Sequence, residues 1–106
     1  MNWEIKYLPE AVQDLKKLDG SQRILVVKAI KKVSANPLPA SEGGYGKPLG
    51  NRGGNNLTNL LKIKLKGPGI RVVYELVRTE TAMLIVVVGA REDDEVYSIA
   101  GKRMNR

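Results

Sequence analysis

Residues 62–74 read KIKLKGPGIRVVY, and the fold turns on how this stretch is paired. Lys62, Lys64 and Lys66 alternate with Ile63 and Leu65, a Gly-Pro-Gly turn follows, and Arg71 opens a valine run. Period-2 alternation on both sides of a turn predicts an antiparallel hairpin. A three-residue loop, 67–69, would set Lys64 opposite Val72 and mix lysines with apolar residues on both faces. A four-residue loop, 67–70, pairs Lys66 with Arg71, Lys64 with Val73 and Lys62 with Glu75. Leu61, Ile63, Leu65, Val72, Tyr74 and Leu76 then form one apolar face. A two-residue Pro-Gly loop gives the same pairing, but its type II turn would splay the strands. The expected register therefore puts Lys62, Lys64, Lys66 and Arg71 together on the other face, where like charges repel.

The chain on either side extends this sheet. Residues 82–90, AMLIVVVGA, are β-branched without alternation, which predicts a central strand covered on both faces. A turn near Thr79-Glu80-Thr81 would fold that strand back on residues 70–78, bringing Gly89-Ala90-Arg91 beside Gly69–Arg71. At the N-terminus, Trp3, Ile5 and Tyr7 alternate with polar residues as in a short half-buried strand. Pro9 suits the first turn of a helix with an apolar stripe at Ala11, Val12, Leu15 and Leu18. Asp19-Gly20 ends it, and Ser21 is a candidate N-cap for a second helix with apolar positions 24, 27, 30 and 33. Asn36-Pro37 stops that helix, and the short break predicts a helical hairpin. Residues 37–56, rich in glycine and proline, resist helix and sheet: either a surface connection or a basic flap carrying Lys47 and Arg52. The tail, DDEVYSIAGKRMNR, has acids first and bases last, the order that suits a short helix dipole, with Gly101 weighing against it. The expected fold is α+β: an N-terminal strand, a two-helix hairpin, a three-stranded antiparallel meander joining the first strand in a small curved sheet, and a C-terminal helix.

Composition narrows the chemistry. With 106 residues the chain reads as one domain, 1–106. No apolar run of about 18 residues predicts a membrane span, and the N-terminus lacks a signal core, so a cytoplasmic protein is expected. Cysteine and histidine are both absent, which removes thiolate zinc sites and imidazole catalysis; neither metal nor cofactor is expected. Eighteen Lys and Arg against eleven Asp and Glu give +7, which favours a polyanionic partner.

KIKLKGPGIRVVYELV and IVVVGAREDDEVYSIAGKR together resemble the RelE family of bacterial toxins, ribosome-dependent mRNA endonucleases of type II toxin–antitoxin modules. The resemblance covers about residues 60–103 and rests on an ordered set. It comprises two lysines spaced Lys-x-Lys, an arginine after the turn, an arginine past the Val-Gly of the last strand, and a tyrosine six residues on. Here these are Lys62, Lys64, Arg71, Arg91 and Tyr97. The glycine-rich connection before Lys62 is longer than is usual in the family.

The resemblance implies 2′-OH attack on the adjacent phosphate of mRNA in the ribosomal A site. Lys62 or Lys64 would be the base, if neighbouring cations lower its pKa, and the other lysine would clamp the phosphorane with Arg71. Arg91 would neutralise the leaving 5′-oxygen. Tyr97 would orient the 2′-OH or stack on a base, unless it packs on the sheet. Lys66, Lys47 and Arg52 would contact RNA. The implied partners are a RelB-like antitoxin covering or displacing residues 93–106, the 70S ribosome with its mRNA, and operator DNA through the antitoxin complex. The alternative is a ParE-like toxin, which binds DNA gyrase without cleaving RNA and would not need the full Lys, Lys, Arg, Arg, Tyr set.

Overall fold

The computed structural model describes residues 2–52, 55–90 and 92–105. Strand β1 (Glu4–Tyr7) leads into helices α1 (Pro9–Lys17) and α2 (Gly20–Ser34). Strands β2 (Lys47–Arg52), β3 (Asn55–Leu65), β4 (Ile70–Val77) and β5 (Ala82–Gly89) follow, and helix α3 (Asp93–Arg103) closes the order. One five-stranded sheet results, in the order β1-β5-β4-β3-β2. β1 runs parallel to β5, and every other pairing is antiparallel.

The helical hairpin forms where the sequence places it, with details of its own. Pro9 starts α1 at a position whose N–H has no intrahelical partner to lose. Asp19, not Ser21, caps α2: its carboxylate accepts from the Gln22 N–H at 2.8 Å, and the Ser21 hydroxyl donates to the same oxygen. Arg23 reaches back to the carbonyls of Leu15, Lys16 and Leu18, satisfying acceptors that the end of α1 leaves open. The buried stripe of α2 is Val26, Ile30 and Val33, whereas Ile24 is 58% exposed. Four consecutive apolar residues at 24–27 allow several helical phases, and docking on the sheet selects the one through Val26.

β5 is the central strand expected, flanked by β1 and β4. Met83, Ile85 and Val88 pack with α1 and α2 against Leu61, Ile70, Val72 and Tyr74. Val86 and Val87 pack on the opposite side with Val73, Leu57, Leu60 and, from α3, Val96, Tyr97 and Ala100. A register shift opposite Val73/Tyr74 leaves Val86 as the extra residue of a bulge, so the adjacent Val86 and Val87 face the same layer.

The opening hairpin keeps the expected faces but not the expected register. Lys66–Gly69 form the turn, and Leu65 pairs with Ile70. Lys64 therefore lies opposite Arg71, Lys62 opposite Val73, and Glu75 opposite Leu60. The ladder is displaced by two residues, and a shift of two preserves every side chain's face. Lys66 leaves the ladder and sits exposed in the turn.

The larger correction concerns residues 37–56, which are not a structureless connection. A 3-10 turn spans Ala40–Glu42, and β2 adds a fifth strand at the sheet edge. Tyr45 N–H donates to Asn36 O and Gly46 N–H to Leu38 O, both at 2.9 Å. The Tyr74 hydroxyl donates to Pro37 O at 2.8 Å, and Arg78 grips Glu42 with bonds of 3.0 and 2.7 Å. Glycine serves close approach here, because a Cβ on Gly46 would stand 2.5 Å from the Tyr74 hydroxyl. Pro48 is tolerated because β2 is an edge strand.

Candidate active site

β3 and β4 present their lysines and arginine on the α3 side of the sheet, away from the α1/α2 layer. Lys64 and Arg71 are cross-strand neighbours, and Lys62 stands two residues along β3 on the same face. Arg71 is half-buried, and its guanidinium donates to Gly69 O at 3.0 Å, which turns it along the hairpin loop. Lys64 is exposed. The Lys62 ammonium sits 5.8 Å from the centroid of the Tyr97 ring, within cation–π range.

Tyr97 is 1% exposed and packs in the apolar layer between α3 and the sheet. Of the two placements open from the sequence, packing on the sheet is the one observed. Lys47 lies directly opposite Lys62 across the β2–β3 ladder, so the glycine-rich segment delivers a cation to the same row. Arg52 closes β2 opposite Asn55, and its side chain lies outside the described residues. Arg91 also lies outside the described residues; in the chain it comes two residues after Gly89, which pairs with Arg71. The structure thus brings together Lys47, Lys62, Lys64, Arg71 and Tyr97, and it sets Lys66 apart in the turn.

This arrangement can grip a phosphodiester. Three ammonium groups offer mobile point charges, while a guanidinium offers two parallel donors to non-bridging oxygens. Among the described residues no group of three or more His, Cys, Asp or Glu could hold a metal ion. No helix among them is long and apolar enough to cross a membrane.

Sequence reasoning missed one constellation altogether. Asp14 on α1 and Arg103 at the end of α3 form an ion pair of 2.6 Å that also binds the backbone of β5. Its members are 89 residues apart, and neither carries a local signal.

No family model matches the chain. It is 30% identical over 105 residues to a protein of Escherichia coli described as RelE-like toxin, covering 98% of this chain and 99% of that one. It is 28% identical over 104 residues to the mRNA interferase toxin RelE of the same organism, with 98% and 99% covered. Among solved structures, a mutant of E. coli toxin RelE in the free state superposes with a TM-score of 0.76. That pair is 27% identical, with 98% of this chain and 99% of the other covered. The fold and the full-length identity agree: the chain belongs to the family of RelE-like toxins.

Proposed function

We propose that this chain is the toxin of a type II toxin–antitoxin module. It acts as a metal-independent endoribonuclease that cleaves translated mRNA in the ribosomal A site, in the cytoplasm. The observation that carries this reading is the pairing of Lys64 with Arg71 on the strand face that also holds Lys62. Mutually repelling cations held at adjacent ladder positions cost stability, and a phosphate bound between them offsets that cost.

The chemistry follows from those groups. Lys62 or Lys64 takes the proton of the 2′-hydroxyl, and the 2′-oxygen attacks the neighbouring phosphorus. The other lysine and Arg71 hold the dianionic phosphorane that develops. The bond from phosphorus to the 5′-oxygen then breaks; the leaving oxygen takes its proton from solvent water, and Arg91, assigned from sequence, neutralises its charge. The products are a 2′,3′-cyclic phosphate and a 5′-hydroxyl, so no metal-bound water is required. Lys47 and Lys66 extend the basic track along the RNA backbone. Arg52 lies near the far end of β2 in the chain and is assigned to RNA contact from sequence.

A solved relative, 26% identical with a TM-score of 0.69, is a mutant of E. coli toxin RelE in complex with an antitoxin RelBc peptide. A RelB-like antitoxin is accordingly the proposed partner, and its complex is the form proposed to meet operator DNA. The formal net charge of +7 suits an acidic segment of such a chain.

Primer extension on cellular mRNA after induction tests the activity. Wild type is expected to give new 5′ ends within translated reading frames, and Lys64→Ala and Arg71→Ala to lose them. Growth arrest with intact mRNA and inhibited gyrase would replace this reading with the ParE-like one.

A further inference from the structure

Among the described residues, no strand lies beside the outer edge of β5 beyond Ile85. β1 ends at Tyr7, and the Leu8 N–H gives the last bond to Ile85 O at 3.0 Å. The edge groups that follow are met by side chains instead. Asp14 Oδ2, from α1, accepts from the Val88 N–H at 3.0 Å. Arg103, in the last turn of α3, donates through Nη1 to Val86 O at 2.9 Å. The same guanidinium grips Asp14 with bonds of 2.6 and 3.1 Å.

The two side chains are only 12% and 19% exposed. Ionic groups withdrawn this far from water are retained only with good geometry and further hydrogen bonds, and both are present here. One point thus joins α1, the open edge of β5 and the end of α3. Beside it a cleft of about 370 Å³ opens between the two helices, lined in part by Lys17, Gly89 and Ile99.

The same helix carries Tyr97, about 9 Å along its axis from Arg103. We propose that Asp14 and Arg103 are positioning residues. Their pair latches α3 onto the sheet so that the Tyr97 ring backs the Lys62 ammonium and fixes it for its work on the phosphate. This rests on the nuclease reading above. Helix ends fray first, so releasing the latch frees α3 from its C-terminus and lets the ring retreat from the lysine. A displacement of about 1 Å at a reacting group is enough to cost activity heavily.

The test uses the full chain with labelled lysine side chains. In the wild type the Tyr97 ring current shifts the Lys62 ε-methylene resonance away from ordinary lysines. Asp14→Asn is expected to return that resonance toward them and to speed amide exchange through residues 96–103. Single-turnover cleavage on mRNA-programmed ribosomes should fall about tenfold, while KM is unchanged. Arg103→Lys, which keeps the charge but not the fork, is expected to do the same to a smaller extent and carries the test if Asp14→Asn does not fold. Tyr97→Phe, which keeps the ring, should retain the shift, whereas Tyr97→Leu should lose it. Faster exchange in α3 with the Lys62 resonance and cleavage rate both unmoved would overturn the proposal. So would a Tyr97→Phe protein that keeps the resonance but loses cleavage, because the hydroxyl itself would then be the acting group. If the wild type does not cleave RNA, the nuclease reading falls, and the resonance alone decides whether the latch positions the lysine.

Discussion

Lys47 and Lys62 face each other directly across the β2–β3 ladder, so two like charges occupy one cross-strand pair. Such pairs destabilise a sheet by a few tenths of a kcal/mol. Lys47→Thr should therefore stabilise the free protein by about 0.5 kcal/mol in urea unfolding. It should also weaken single-stranded RNA binding and reduce the salt slope by about 0.7. Unchanged RNA affinity in fluorescence anisotropy would remove Lys47 from the RNA track.

Gly46→Ala tests how firmly the glycine-rich segment is pinned. The new Cβ would meet the Leu61 side chain, the Tyr74 hydroxyl at 2.5 Å and the Pro37 carbonyl at 2.8 Å. Two of these belong to the hydrogen bond that anchors the segment, so neither can yield freely. A loss of about 2–3 kcal/mol in chemical unfolding is expected. Gly67→Ala in the hairpin turn has open space around it and should change stability little by comparison.

Tyr74 sets part of the alkaline limit. Burial pushes its phenol well above the ordinary range, so the folded chain holds this proton while the unfolded chain releases it near pH 10. The contribution is fully present below pH 10 and is lost as pH rises toward the folded value. Tyr74→Phe should cost about 1–2 kcal/mol at neutral pH by orphaning the Pro37 carbonyl. It should also make the decline in stability above about pH 10 less steep, by one proton's worth of slope. Parallel declines in the two proteins would contradict the assignment.

How much of this was legible in the sequence depended on how local each signal was. Residues 82–89 announce a doubly covered strand by composition, and the parity of KIKLKGPGIRVVY separates core residues from cations whatever the loop. The register itself was not legible, because two pairings displaced by two residues put the same side chains on the same faces. β2 was hidden by its glycine and proline and by the glycines around it, since an edge strand needs only backbone groups from its neighbour. The phase of α2 was hidden by its run of four apolar residues. Within the candidate site, the shared face of Lys62, Lys64 and Arg71 was legible from their alternation, whereas Tyr97 was named only from the family resemblance. That Tyr97 is buried, with Lys62 above its ring, follows from the packing of α3. The Asp14–Arg103 pair joins opposite ends of the chain and exists only once the whole sheet is built.

The central claim is that the row of cations on β3 and β4 cleaves RNA by transesterification. Single-turnover reaction of purified toxin with mRNA-programmed ribosomes, with the product ends identified chemically, tests it most directly. The account predicts a 2′,3′-cyclic phosphate and a 5′-hydroxyl in the presence of chelator, and rates lowered at least about a hundredfold in Lys64→Ala and Arg71→Ala. Products ending in a 3′-hydroxyl, or cleavage undiminished by either substitution, would contradict it.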